Sequence, residues 1–311
     1  MAKEYGFRPS TIDDLKGQPK IQKMLRVYIK AAKIKGESFP HTIITGPSGC
    51  GKSATANVIA HELECNFRAY SGPAINDIKT IQTILLSIKE NDIVLIDEVH
   101  RLNKKLQEML YFAMENFQVD AEIDGQTART DIPHFTLVAA TNLYGGLNDA
   151  LLNRFPIQMK LAAYTKDSMT DIVNKICQEK NIQIDQKSAR MIAATTRGVP
   201  RNANSYVARI YDFALVMNDG IITPQIVIDG FDIMGINKYG LNQDDMDYLN
   251  FLAVQSKAVG VDTICLTLGV DKNTVQTKIE PYLLQKGYIQ KQPRGRVATD
   301  SGRKLCKEMA E

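Results

Sequence analysis

Three short runs stand out in the first half of the chain. Thr42-Ile43-Ile44-Thr45, Ile93-Val94-Leu95-Ile96 and Phe135-Thr136-Leu137-Val138-Ala139-Ala140 are almost unbroken apolar or β-branched stretches, the pattern of strands covered on both faces. Between them the period lengthens to that of a helix, over residues 53–63 and again over 77–89, where Ile78, Ile81, Leu85 and Ile88 share one face. Strand alternating with helix predicts an α/β layer built on a parallel sheet. From about Tyr164 onward only helical patterns remain, over 167–179, 186–196 and 201–217. The change places a boundary at 162–165, dividing residues 1–163 from 164–238. Residues 235–241 read as a second linker. Beyond it, in 239–311, helical segments that include 262–268 and 272–285 precede extended residues at 289–298 around a Pro-Arg-Gly turn, the order of a winged helix-turn-helix.

Composition narrows the class. With 311 residues, 44% hydrophobic and 23% charged, the chain has the make-up of a two- or three-domain globular protein rather than a disordered or fibrous one. Its apolar runs fall far short of the roughly 18 residues of a membrane span, so no membrane partner is expected. The first residues carry no apolar core of a secretion signal, and Cys50, Cys65, Cys177, Cys265 and Cys306 stand singly; both point to a reducing, cytoplasmic setting. A net charge of +3 says nothing by itself about partners.

The chemistry is concentrated after the first two strands. Gly46-Pro47-Ser48-Gly49-Cys50-Gly51-Lys52-Ser53 fits G-x-x-x-x-G-K-[ST] between a strand and a helix. In that setting the backbone N–H groups and the helix N-terminus cradle phosphates, Lys52 reaches the β- and γ-phosphates, and Ser53 offers its hydroxyl to Mg²⁺. The second strand ends in Asp97-Glu98, two carboxylates at the edge where α/β sheets bind ligands. Asp97 suits the Mg²⁺ shell; Glu98 suits a base that orients the attacking water, which hydrolysis needs and binding alone does not. Thr141-Asn142 closes the third strand, with polar groups for the γ-phosphate or the water. Arg154 follows an apolar helix end, and Arg201 sits in the first turn of a helix, where a cation is unfavourable unless an anion lies nearby.

Together these residues resemble the AAA+ ATPases, and within them the RuvB family of Holliday-junction branch-migration motors, of which the chain looks like a divergent member. The likeness runs nearly end to end: Arg8-Pro9, Gly17-Gln18-Pro19, the phosphate loop, Ser71-Gly72-Pro73, Asp97-Glu98-Val99-His100-Arg101-Leu102, Ala113-Met114-Glu115, Arg154-Phe155, Gly198-Val199-Pro200-Arg201 and Pro293-Arg294-Gly295-Arg296-Val297-Ala298-Thr299. It implies a P-loop ATPase domain, a small helical lid and a C-terminal winged helix. It also implies ATP and Mg²⁺ as ligands, with Phe7 and Arg8 flanking adenine and Tyr164 and Pro200 closing its pocket. Asn142 would sense the γ-phosphate, and Arg201 would report nucleotide state to the lid. Gly46, Gly49, Gly51, Ala54, Glu115, Asn116 and Phe117 complete the nucleotide-binding set. Arg154 matches the arginine finger that acts on a neighbouring subunit, which implies a ring, expected to be a hexamer. Residues 118–134 match the hairpin that docks a RuvA-type partner, and they look shorter and more polar than is usual. Other departures are Ser48 for a proline, Ser53-Ala54 for two threonines, Asn142 for a threonine and Leu152 for an arginine.

Charge becomes informative when divided by segment. Residues 239–311 carry ten basic and nine acidic side chains, whereas 286–307 hold seven basic residues (Lys286, Lys291, Arg294, Arg296, Arg303, Lys304, Lys307) against Asp300 alone. Cations on a short wing suit phosphate contacts without base reading, as a motor on any sequence requires. Lys291, Arg294 and Arg296 are the expected contacts with duplex DNA. The alternative within AAA+ is a clamp-loader-like or helicase-loader-like ATP switch; the winged ending speaks against the clamp loader.

Overall fold

The structure, a computed structural model, describes residues 8–123 and 126–310. The chain forms two compact units, one comprising residues up to Asn181 with Gly198–Ala208, the other Ile182–Arg197 with the residues from Arg209 onward.

The first unit runs α1 (Pro19–Lys35), β1 (Thr42–Thr45), α2 (Lys52–Leu63), β2 (Phe67–Ser71), α3 (Ile78–Leu86), β3 (Ile93–Asp97), α4 (Lys104–Asn116), β4 (Gln118–Ile123), β5 (Gln126–Asp131), β6 (Thr136–Thr141), α5 (Asp149–Leu152), β7 (Ile157–Lys160) and α6 (Lys166–Glu179). Five strands form a parallel sheet in the order β2-β3-β6-β1-β7. Alternate residues of the central strands feed two separate cores. Ile43, Val94, Ile96, Leu137 and Ala139 pack with Ile81, Leu85, Leu106 and Leu110, while Ile44, Ile93, Leu95, Val138 and Ala140 pack with Leu25, Ile29, Ala56 and Ile59. That division explains why these strands read as unbroken apolar runs. β4 and β5 form a separate antiparallel hairpin, in register from Gln118↔Asp131 to Ile123↔Gln126, so the expected hairpin is present.

Because every strand of the sheet points the same way, the sheet has a carboxyl edge and an amino edge. Gly46, Glu98 and Asn142 follow β1, β3 and β6 at the first; His41, Asp92, Phe135 and Pro156 precede β1, β3, β6 and β7 at the second. The four residues of β1 set them roughly 13 Å apart.

The second unit contains β8 (Gln183–Ile184), α7 (Gln186–Thr195), the later part of α8 (Pro200–Met217), β9 (Ile221–Ile222) and α9 (Pro224–Ile233). It continues through α10 (Gln243–Ala253), α11 (Val261–Leu268), α12 (Lys272–Thr274), a π-helical turn (Val275–Ile279), α13 (Glu280–Gln285), β10 (Ile289–Gln292), β11 (Gly295–Ala298) and α14 (Asp300–Ala310). β10 and β11 pair antiparallel around the Pro293-Arg294 turn. Tyr248, Leu249, Leu252, Ile264, Val275, Ile279, Leu283, Ile289 and Leu305 form the core beneath them. The helix expected over 272–285 is thus interrupted. Pro281 has no N–H to donate and its ring crowds the preceding turn, and the π-helical turn lies just ahead of it. Among the described residues no helix is long and apolar enough to cross a membrane.

Candidate nucleotide site and its counterpart across the sheet

The loop between β1 and α2 is closed on itself. Lys52 Nζ donates to the Gly46 and Pro47 carbonyls, both at 3.0 Å, and its side chain is largely buried at the start of α2, with Ala54 beside it. Burial pulls the Lys52 pKa down, the Asp97 carboxylate opposing it. Gly49 cannot be replaced cheaply: its φ is +78°, and a Cβ there would lie 2.7 Å from Val199 Cγ1. Gly46 and Gly51 also take positive φ.

Ser53 Oγ donates to Asp97 Oδ2 at 2.6 Å, and the Glu98 N–H donates to Asp97 Oδ1 at 2.9 Å. A hydroxyl and a carboxylate oxygen converging at the mouth of a phosphate loop are the hard donors that a magnesium ion takes, so these residues fit it. Glu98 is exposed and held in the left-handed region at φ +52°, a conformation uncommon for a residue with a side chain. Asn142 is exposed one residue past Thr141. The motif pattern did not single out His100, whose Nδ1 lies 2.9 Å from Thr141 Oγ1 and so ties the turn after β3 to the end of β6. Its place in the Asp97-to-Leu102 run that carries the family likeness is the sequence signal for it.

A second set of residues closes over the loop. Arg201 Nη1 donates to Ser48 Oγ at 3.1 Å, and its backbone N–H reaches the Gly49 carbonyl at 3.4 Å. Tyr164 donates its hydroxyl to the Cys50 carbonyl at 3.1 Å and its N–H to the Gly198 carbonyl at 3.0 Å. Burial pushes the Tyr164 phenol up to about 12, so it stays a donor. Gln18 holds the neighbouring Ala162 carbonyl at 2.9 Å. Pro200 opens α8 beside Arg201. Arg8 is exposed, and Phe7 lies outside the described residues.

The remaining predicted residues lie at the amino edge. The Met114 carbonyl bonds His41 Nε2 at 3.2 Å, and Phe117 stacks on His134 at 4.0 Å with Phe135 edge-on at 6.1 Å. Asn116 Nδ2 bonds back to the Phe112 carbonyl. Glu115 Oε2 accepts from Arg154 Nη2 at 2.6 Å, and the Arg154 Nε is buried without a hydrogen-bond partner. Glu115, Asn116, Phe117 and Arg154 therefore gather across the sheet from this chain's phosphate loop. The family likeness put Glu115, Asn116 and Phe117 in the nucleotide-binding set and Arg154 on a neighbouring subunit; all four lie at the edge away from this chain's own loop.

On the wing the three expected cations part company. Arg296 Nε donates to Glu280 Oε1 at 2.6 Å, and Lys291 Nζ pairs with Glu280 Oε2 at 2.8 Å. Glu280 is fully buried and also accepts from Tyr248 Oη at 2.9 Å. Burial pushes the Glu280 pKa up, but the bonds from Arg296, Lys291 and Tyr248 outweigh it and leave the carboxyl below its ordinary value. The Arg296 side chain is only 14% exposed, and half-exposed Lys291 shares the same carboxylate. Arg296 is a structural cation turned inward, not the surface contact expected of it. Arg294, exposed at the tip, has no carboxylate partner among the described residues.

Comparison with known proteins agrees along the whole chain. Residues 7–161 match the family described as Holliday junction DNA helicase RuvB P-loop domain, 164–237 the RuvB AAA lid domain, and 238–307 the RuvB C-terminal winged helix domain. The chain belongs to the RuvB family. A protein of Wolbachia sp. subsp. Brugia malayi (strain TRS) named as the RuvB subunit of the Holliday junction branch migration complex is 38% identical over 305 residues, 97% of this chain and 94% of that one. The solved RuvB branch migration motor of Thermotoga maritima is 35% identical with a TM-score of 0.85, covering 96% of this chain and 98% of its own. A point mutant of it scores 0.87, over 97% and 99%. As a RuvB-family member the chain is a nucleotide-binding P-loop ATPase of the branch-migration motor class, with a parallel-sheet AAA domain, an AAA lid and a winged helix.

Proposed function

We propose that this chain hydrolyses ATP with Mg²⁺ as one subunit of a ring, expected to be a hexamer, and so drives Holliday junctions along double-stranded DNA in the cytoplasm. The observation that carries the reading is the separation just described: the phosphate loop with Asp97 and Glu98 occupies one edge of the sheet and the Arg154–Glu115 pair the other. One subunit cannot bring both to one nucleotide, whereas subunits placed head to tail can.

Lys52 leaves the Gly46 and Pro47 carbonyls for the β- and γ-phosphate oxygens. Ser53 and Asp97 would hold a magnesium ion, which would supply neutralisation of developing charge. Glu98 orients a water in line with the γ-phosphorus and takes its proton as the bond to the bridging oxygen breaks, giving ADP and phosphate. Asn142 senses the γ-phosphate. Arg8, Phe7, Tyr164 and Pro200 hold adenine, and Arg201, now on Ser48, answers to the phosphates. Arg154 of the neighbour stabilises charge in the transition state, with Glu115, Asn116 and Phe117 around it. Arg294 and Lys291 contact DNA phosphates. The β4–β5 hairpin, within 118–134, receives a RuvA-type partner.

The test is ATPase and branch migration on a synthetic four-way junction, with and without a RuvA-type protein. Lys52→Ala and Glu98→Gln are each expected to abolish DNA-stimulated hydrolysis. Normal turnover by Glu98→Gln removes the assigned base. ATP hydrolysis with no migration under any condition removes the motor.

A further inference from the structure

The polypeptide passes between the two compact units at three peptide bonds, 181–182, 197–198 and 208–209. The middle one is unusual on both sides. Arg197 and Gly198 are consecutive residues in the left-handed region, at φ +60° and +70°. Such a pair is costly for the non-glycine member and persists only where the surroundings determine it.

On the Gly198 side, the residues hold the nucleotide loop. The Gly198 carbonyl accepts from Tyr164 N, Tyr164 Oη donates to the Cys50 carbonyl, and Arg201 donates to Ser48 and Gly49. A Cβ at Gly198 would lie 2.7 Å from the Tyr164 carbonyl oxygen, so only glycine lets the segment lie this close to Tyr164. On the Arg197 side, the guanidinium holds the winged part of the second unit by two of its nitrogens and one face of its plane. Nε donates to the Gly240 carbonyl at 2.8 Å, Nη2 pairs with Asp245, and the plane lies over the Tyr282 ring at 4.7 Å. Asp245 is almost wholly buried at the start of α10, where it also accepts from Asn242 N at 2.9 Å. Gly240 is pressed against Thr195, a Cβ there lying 2.4 Å from the Thr195 carbonyl oxygen.

We infer that Arg197 is a positioning residue that converts the response of residues 198–201 to nucleotide into displacement of the winged helix, through Gly240, Asp245 and Tyr282. Its role follows from being bonded covalently to the segment that grips the phosphate loop while its side chain is fixed to α10 and α13. Lysine cannot replace it, because the arrangement uses a planar fork and a stacking face together. The inference rests on the loop being the nucleotide site, and not on the DNA substrate.

The test uses the full chain with two conservative variants, Arg197→Lys and Asp245→Asn, whose thermal melting is measured first to confirm that they fold. Hydrogen exchange is followed in α10 with and without Mg²⁺ and the non-hydrolysable analogue AMP-PNP. In the wild type the analogue is expected to change exchange in α10 by about fivefold or more. In each variant that response is expected to disappear while basal ATPase stays within roughly twofold of wild type and stimulation by junction DNA falls at least about fivefold. The double variant is expected to be no worse than either single one, since the two groups act as a unit. A variant that keeps the α10 response, or that loses basal ATPase in parallel with coupling, overturns the inference, as does an additive double variant. If the wild type shows the α10 response but never migrates a junction, the proposed function fails and this coupling stands.

Discussion

His41 shows how far a single side chain can be committed by its surroundings. The Leu137 N–H donates to its Nδ1 at 2.9 Å, so the proton sits on Nε2 and is given to the Met114 carbonyl. Burial lowers its pKa to about 4, with the bond to Met114 opposing. The unfolded imidazole takes up its proton near 6.5, so the unfolded chain binds more protons between those values. The stabilisation is complete above pH 6.5 and is lost as pH falls through 4, by about 3 kcal/mol at most. Urea unfolding at pH 7 and pH 4.5 should show a larger fall for wild type than for His41→Gln; equal falls would assign the acid sensitivity elsewhere. Glu280 makes the complementary point about reading charge from sequence. It stands among Val275, Ile279 and Leu283 on a core-facing stretch, and a buried acid in such company requires a cation. That signal was present, yet counting charges along 286–307 could not tell that Arg296 answers Glu280 while Arg294 does not. The motif residues of the phosphate loop were legible because their chemistry is local; Arg197 was not, because nothing in its neighbours marks a left-handed arginine.

At the scale of elements, β1, β3 and β6 were legible and β2 and β7 were not. The three found lie inside the sheet, apolar on both faces; the two missed are its edges, and β7 alternates buried and exposed positions. The hairpin at 118–131 was expected from the family likeness, not from its polar sequence. α14 was not legible as a helix, since few of its residues are apolar and, among the described residues, Leu305 is its one buried large apolar side chain. The wing itself carries a prediction. Arg294→Ala should weaken DNA binding and reduce the salt dependence of log K by about one unit of slope, with melting unchanged. Arg296→Ala should instead destabilise the chain by about 3 kcal/mol or more, leaving Glu280 short of its main partner, with a smaller effect on the salt slope. The two are separated by fluorescence anisotropy across a salt series together with urea unfolding. If Arg296→Ala lowers the salt slope without loss of stability, its inward role is wrong.

For the whole molecule, the decisive feature is the distance between the two edges of one sheet. Lys52→Ala lacks a working phosphate loop but keeps Arg154; Arg154→Ala has the reverse defect. Each alone should be inactive, and an equimolar mixture should regain a measurable part of wild-type ATPase, because some neighbouring pairs then combine a sound loop with a sound arginine. A mixture as inactive as its components would mean that Arg154 does not act across a subunit boundary. In the proposed ring the parallel sheet makes the contact between subunits directional, joining unlike surfaces rather than one surface to itself. An unassembled copy is thereby a latent enzyme, and specific activity should climb with protein concentration before it levels off. On that proposal dilution is an off-switch that needs no inhibitor.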